Sequence, residues 1–177
     1  MDFASKNDIT ENEYFEMIKN KTAVLIGCSY MFGGIVAETN TSNTDLLYKI
    51  GLNLGIAFQL EDDLLDCFGD QEKFGKKTGG DIIEKKKTLL FIYTHSQLEL
   101  DKKSEFENIF YSSDLQESEK ITSIISFYEN SGAVNYLKNK VKKHFNKAES
   151  LINDLQIDND IKIKLNQFSK TLLNREI

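Results

Sequence analysis

Gly51-Leu52-Asn53-Leu54-Gly55-Ile56-Ala57-Phe58-Gln59-Leu60-Glu61-Asp62-Asp63-Leu64-Leu65-Asp66 is the stretch on which both architecture and chemistry turn. Leu47, Ile50, Leu54, Ala57 or Phe58, and Leu65 recur at three-to-four spacing, which is helical. Asn43 or Thr44 can cap such a helix, giving a span from Asp45 to about Phe68. Its last turns place three aspartates in an otherwise apolar run. Asp62 and Asp66 are four apart and Asp63 and Asp66 three apart, so all lie on one side, with Gln59 one turn earlier. Three carboxylates this close raise one another's pKa unless a cation intervenes. Hard oxygen ligands at this density suit Mg²⁺, which takes few carboxylates plus water and substrate phosphates. A solvated acidic face is the alternative, but Gly51–Phe58 is too apolar for a fully exposed helix.

Working outward, Gly69–Asp81 is loop-like, with Gly69, Gly75, Gly79, Gly80 and three lysines. Lys76 follows Gly75, and Lys85-Lys86-Lys87 comes shortly after Asp81. Lysines beside a carboxylate helix can neutralise a metal-held polyphosphate. Charge runs are usually solvated, and Lys85 and Lys87 fit that description. Upstream, Thr10 with Glu13 makes a capping box. The helix it starts runs through Met17, Lys21 and Leu25 to about Glu38, apolar all round in its second half, as a buried helix would be. Thr22–Ala37 is uncharged, but its sixteen residues fall short of the ~20 that span a bilayer. The polar, acidic start excludes a signal peptide.

Helical pattern resumes near Glu84. Further helices are expected at about Leu100–Tyr111, Asp114–Asn130, Ala133–Leu155 and Asn159–Asn174, with a break at Ser131-Gly132. No strand-like alternation or repeat interrupts them. The 177 residues include no proline and only 10 glycines, while 40% are apolar and 28% charged. Together these predict one all-α domain, packed as an antiparallel bundle. A net charge of −6 disfavours nucleic acid as a partner. Cys28 and Cys67 read as reduced core thiols of a cytoplasmic protein, and His95 and His144 have no zinc spacing.

These motifs resemble the C-terminal half of the trans-isoprenyl (polyprenyl) diphosphate synthases. The signature is Gly51-x-x-x-Gly55-x-Ala57-Phe58-Gln59-x-x-Asp62-Asp63-x-Leu65-Asp66, then Gly75-Lys76-x-x-Gly79-x-Asp81, then Lys86-x-Thr88-Leu89. Upstream, Glu13-Tyr14-Phe15-Glu16-Met17-Ile18-x-x-Lys21-Thr22-Ala23 resembles that family's Lys-Thr helix. The resemblance implies an isoprenoid synthase bundle whose N-terminal half is absent, so that residues 1–177 form a single partial domain. It implies a prenyltransferase that condenses isopentenyl diphosphate with an allylic diphosphate. Asp62 would ligate Mg²⁺, supported by Asp63 and Asp66. Lys21, Lys76 and Lys86 would bind diphosphate, Thr22 and Gln59 would face the allylic cation, and Phe58 would line the isopentenyl diphosphate pocket. The family carries two aspartate-rich motifs, and this chain has only the second. A truncated synthase, half of a split enzyme and a noncatalytic or regulatory subunit therefore all follow, with the isolated chain inactive. A terpene cyclase fits the Gly-Lys-x-x-Gly-x-Asp loop less well. Half a bundle should also expose apolar surface on Thr22–Ala37 and Ile50–Phe58, favouring a homodimer or an N-terminal partner.

Overall fold

A computed structural model describes residues 9–69 and 78–173, and every regular element among them is helical. The chain begins with α1 (Glu11–Ile18), which passes through a π-helical turn (Lys19–Ala23) into α2 (Val24–Val36). The capping box forms as the sequence predicts. The Thr10 N–H donates to Glu13 Oε2 at 3.0 Å, and the Glu13 N–H donates to Thr10 Oγ1 at 3.3 Å. The single helix expected through Lys21 is instead interrupted: the Val24 N–H reaches back five residues to the Lys19 carbonyl.

The long α3 (Thr41–Phe68) starts a turn earlier than expected. Asn40 supplies the cap, its Oδ1 accepting the Asn43 N–H at 2.8 Å. Asn43 is buried instead and clasps a distant loop. Its Nδ2 donates to the Gln156 carbonyl at 3.0 Å, and its Oδ1 accepts the Gln156 N–H at 2.9 Å. After α3 come α4 (Gly80–Ile83), α5 (Leu89–Gln97), α6 (Leu100–Tyr111), α7 (Glu117–Asn130), α8 (Ala133–Asp154) and α9 (Asn159–Leu173). The helix expected from Glu84 is displaced. Lys85 adopts the left-handed conformation (φ 55°), so α4 stops there and α5 begins only after Thr88. Gly132, at φ 80°, makes the break between α7 and α8.

The chain divides into two compact units. One comprises Phe15–Glu61 and the chain from Asn139. Its core joins Ile50 and Leu54 of α3 to Ala148, Leu151, Ile152 and Leu155, with Tyr30, Phe145 and Leu165 packed against them. Here α2 lies on α3 at glycines. A Cβ on Gly51 would sit 2.7 Å from Gly27 Cα, so the backbones meet where side chains are missing. That packing uses only one face of α2. Leu25, Phe32, Ile35 and Val36 are exposed, which corrects the expectation of an all-round buried helix. On α3 the apolar positions Ile50, Leu54 and Ala57 are buried and Leu52, Ile56 and Phe58 half-buried, so the fully exposed part of the predicted surface lies on α2.

The other unit comprises the stretch up to Tyr14 and Asp62–Lys138. Its core is aromatic. The Phe91 ring of α5 lies tilted against Phe106 and Phe110 of α6, with centroids 5.2 and 4.4 Å away, and buried Tyr128 of α7 lies 6.3 Å from Phe106.

Candidate active site

In the first unit, the π-helical turn carries Lys21 and Thr22. A π turn accommodates one extra residue and so displaces the side chains it contains, a device frequent at functional sites. Gly55 sets the approach of α3 to this turn: a Cβ there would lie 2.5 Å from Ala23 Cα. At that spacing Thr22 Oγ1 donates to Gln59 Oε1 at 2.9 Å. The two residues implied to face the reacting carbon are thus joined, both half-buried. Phe58 is likewise half-buried on α3, and Lys21 is exposed.

In the second unit, the three aspartates of α3 separate into different environments. Asp63 is buried and accepts the hydroxyl of Tyr14, which is only 1% exposed. Burial, and then the Asp63 charge, push the Tyr14 phenol well above the ordinary tyrosine range, so it stays a donor. Asp62 and Asp66 are half-buried. The Asp66 carboxylate accepts the Asp81 N–H at 2.9 Å, and Lys86 Nζ donates to Asp81 Oδ1 at 2.8 Å. Burial raises the Asp66 pKa, and the Asp81 N–H offsets only part of that. For Lys86, burial alone lowers the pKa, but hydrogen bonds to Asp81 and Glu84 outweigh it and hold the ammonium firmly charged.

Gly79 makes this return of the chain possible. It sits at φ 83°, its N–H donates to the Asp66 carbonyl at 2.6 Å, and a Cβ would lie 2.7 Å from Ile121 Cγ1. Lys85 and Lys87 are not the solvated pair expected. Lys85 Nζ donates to the Tyr111 carbonyl at 2.9 Å at the end of α6, and Lys87 is buried beside the Tyr111 ring. Lys76 and its Gly75 neighbour lie outside the described residues.

The two histidines have structural partners. His95 pairs with Glu107 at 2.5 Å and His144 with Asn53 at 3.0 Å. Cys67 is buried, with its thiol pKa pushed up by burial, whereas Cys28 is only half-buried, contrary to a core assignment. Among the described residues, no three His, Cys, Asp or Glu side chains converge into a metal cage. No helix among them is long and apolar enough to cross a membrane.

A model of the polyprenyl synthetase family matches residues 1–128. The chain belongs to that family. It is 35% identical over 166 residues to the geranylgeranyl diphosphate synthase of Sulfolobus acidocaldarius, covering 91% of this chain and 48% of that one. Among solved structures, it matches a geranylgeranyl pyrophosphate synthase with a TM-score of 0.91 and 38% identity, over 99% of this chain and 55% of that one. It also matches the geranylgeranyl pyrophosphate synthase of Corynebacterium glutamicum, solved in complex with isoprenyl diphosphate and magnesium. There the TM-score is 0.86 and the identity 25%, over 98% of this chain and 49% of that one. The chain spans about half the length of the relatives it matches.

For a polyprenyl synthetase family member, the donor set fits Mg²⁺. Asp62 and Asp66 offer hard oxygens from half-buried positions, and a site completed by substrate phosphate and water needs no protein cage. Sequence reasoning missed the parts played by Tyr14 and Glu84. Tyr14 carried a signal: it is a polar-tipped side chain at a core position of α1, and a buried hydroxyl needs a partner. Glu84 carried none, because its role depends on where Lys85 turns the chain.

Proposed function

We propose that this chain carries the second aspartate-rich half of a prenyltransferase site, working on an allylic diphosphate and isopentenyl diphosphate with Mg²⁺. The observation that carries this reading is the linked set Asp66, Asp81 and Lys86, at 2.9 and 2.8 Å, of which Asp66 stands on the helix that also bears Asp62 and Asp63. Such a set offers carboxylate oxygens to a cation and an ammonium to the phosphate it holds. Asp62 is assigned as the main Mg²⁺ ligand, supported by Asp63 and Asp66. Lys21, Lys76 and Lys86 are assigned to the diphosphates, Lys76 from its motif alone. Bound Mg²⁺ supplies charge neutralisation for departing pyrophosphate.

The reaction breaks the allylic C–O bond, and pyrophosphate leaves with the electron pair. The isopentenyl double bond then attacks the allylic carbon to form the new C–C bond, and the departed pyrophosphate takes up the proton that the resulting cation loses. The Thr22–Gln59 pair is assigned to face that carbon, where two fixed oxygen dipoles stabilise developing positive charge without supplying a nucleophile. Phe58 is assigned to the isopentenyl pocket. We read residues 1–177 as a single partial domain, equivalent to the C-terminal half of the family. The half-length match also supports a second reading, in which the chain is a noncatalytic subunit or one half of a split enzyme.

Calorimetric titration with pyrophosphate, with and without Mg²⁺, tests the site. Binding is expected only with the metal, and Asp62→Ala should abolish it. A folded chain that binds nothing, or binds equally well as Asp62→Ala, overturns the assignment. Incorporation of radiolabelled isopentenyl diphosphate then separates the readings. We expect no product from this chain alone, and turnover when a polypeptide bearing the other aspartate motif is added. Losing one preorganised electrostatic group costs ~10²–10³ in rate, and half a site removes several. Silence in both conditions favours the noncatalytic reading.

A further inference from the structure

Tyr14 stands apart from every residue assigned above. It lies on α1, 1% exposed, and its hydroxyl donates to Oδ2 of Asp63, forty-nine residues away in sequence. Asp63 is itself 5% exposed, whereas its neighbours Asp62 and Asp66 are half-buried. Three carboxylates within five residues of one helix repel each other, which disfavours their charged forms unless each is held by a partner. A buried carboxylate also needs a hydrogen-bond donor. Lysine would meet that need but cancel the negative charge that draws a cation. A phenol donates one proton in a fixed direction and leaves the charge in place. Tyrosine is also short of rotamers, so the orientation it imposes is rigid.

We propose that Tyr14 is a positioning residue of the metal-binding helix, its hydroxyl fixing the Asp63 carboxylate and thereby setting the affinity of the Asp62–Asp66 segment for Mg²⁺ with diphosphate. The proposal rests on the diphosphate-binding reading. It assigns no proton transfer to Tyr14 and no contact with substrate. Hydrogen-bond partners of metal-binding carboxylates typically govern metal affinity by 10–100-fold.

The test is calorimetric titration of pyrophosphate at a series of Mg²⁺ concentrations, for the wild-type chain, Tyr14→Phe, Asp63→Asn and the double variant, with circular dichroism as the control for folding. The Mg²⁺ concentration for half-maximal binding is expected to rise about 10-fold in Tyr14→Phe, the low end of that range. In the Asp63→Asn background, removing the hydroxyl should add almost nothing, because both changes act on one interaction. A residue that served only to hold the fold would lower the melting temperature and leave the Mg²⁺ dependence in place. An unchanged dependence in folded Tyr14→Phe overturns the positioning role while the wild-type binding still supports the diphosphate site. The same shift in both backgrounds also overturns it, since the hydroxyl would then act through another group. Absence of Mg²⁺-dependent binding by the wild-type chain overturns both ideas together. Should Tyr14→Phe not fold, 3-fluorotyrosine at position 14, which keeps the ring and makes the hydroxyl a stronger donor to Asp63, takes its place: a shifted Mg²⁺ dependence supports the positioning role and a wild-type dependence overturns it.

Discussion

The imidazole of His144 is half-buried against Asn53 and lies 5.9 Å from the Phe15 ring. Asn53 spends its Nδ2 on the Lys49 carbonyl at 2.8 Å, so its Oδ1 accepts from Nδ1–H of His144. Burial lowers the His144 pKa, and Lys143 and Lys140 lower it further. Above about pH 6.5 the imidazole is neutral in both folded and unfolded chains. Below that, the unfolded chain takes up the proton first, so stability drains away as pH falls towards the native value. Urea unfolding at pH 7.5 and 5.5 should therefore show a smaller loss for His144→Gln than for the wild-type chain. Equal losses would mean that His144 contributes nothing to acid sensitivity. Residue-level roles were unevenly legible in the sequence. The Thr10–Glu13 box depends only on local spacing and formed as expected. The α3 cap went to Asn40 because Asn43 was claimed by Gln156, and a partner 113 residues away leaves no mark in a local window.

Between elements, α3 passes the π turn closely at Gly55. Alanine there would gain up to about 1 kcal/mol of helix propensity. Against this stands a Cβ only 2.5 Å from backbone, at Ala23 Cα, where nothing can swing aside. Overpacking of a tight contact costs about 1–3 kcal/mol. The clash should win, so Gly55→Ala is expected to lower the unfolding midpoint and to break the Thr22–Gln59 hydrogen bond. Gly33→Ala is the control. A methyl group there meets nothing within 4 Å and should stabilise by about 0.4–1 kcal/mol. Thermal unfolding of both variants checks the pair, and a rise for Gly55→Ala would refute the close-approach argument. The Gly51-x-x-x-Gly55 spacing was visible in the sequence, but the π turn it faces was not. Nothing in Lys19–Ala23 departs from ordinary helical composition, because the extra residue is accommodated by packing rather than by propensity.

At the scale of the molecule, helix content and most helix boundaries followed from apolar periodicity, because no proline and few glycines leave little else to form. Which face of each helix is covered did not follow. The second half of the first helix is apolar all round, and periodicity has no contrast to work with there. The structure covers Gly27 and Gly34 and leaves Leu25, Phe32, Ile35 and Val36 exposed at 72%, 59%, 52% and 83%. Four large apolar side chains on one helix form the kind of patch that drives association. The chain alone is expected to self-associate, and Phe32→Glu with Val36→Lys should shift it towards monomer in light scattering. A sharply monomeric wild-type chain would contradict this.

The π turn also makes one site in this chain unusually forgiving of a lost residue. Removing a residue from the middle of an ordinary helix rotates everything on one side by about 100° and tears its packing face away. In Lys19–Ala23 the opposite holds. One residue more than a regular helix requires is already present, and the Val24 N–H reaches five residues back to accommodate it. Deleting exposed Asn20 would let that bond close at the regular spacing, while buried Ile18 and Gly27 keep their registers on either side. The expected product is a folded chain with a smooth helix and no Thr22–Gln59 contact, so fold and chemistry would part at a single codon. The equivalent deletion of Asn53, inside uninterrupted α3, should leave no folded protein, as circular dichroism would show.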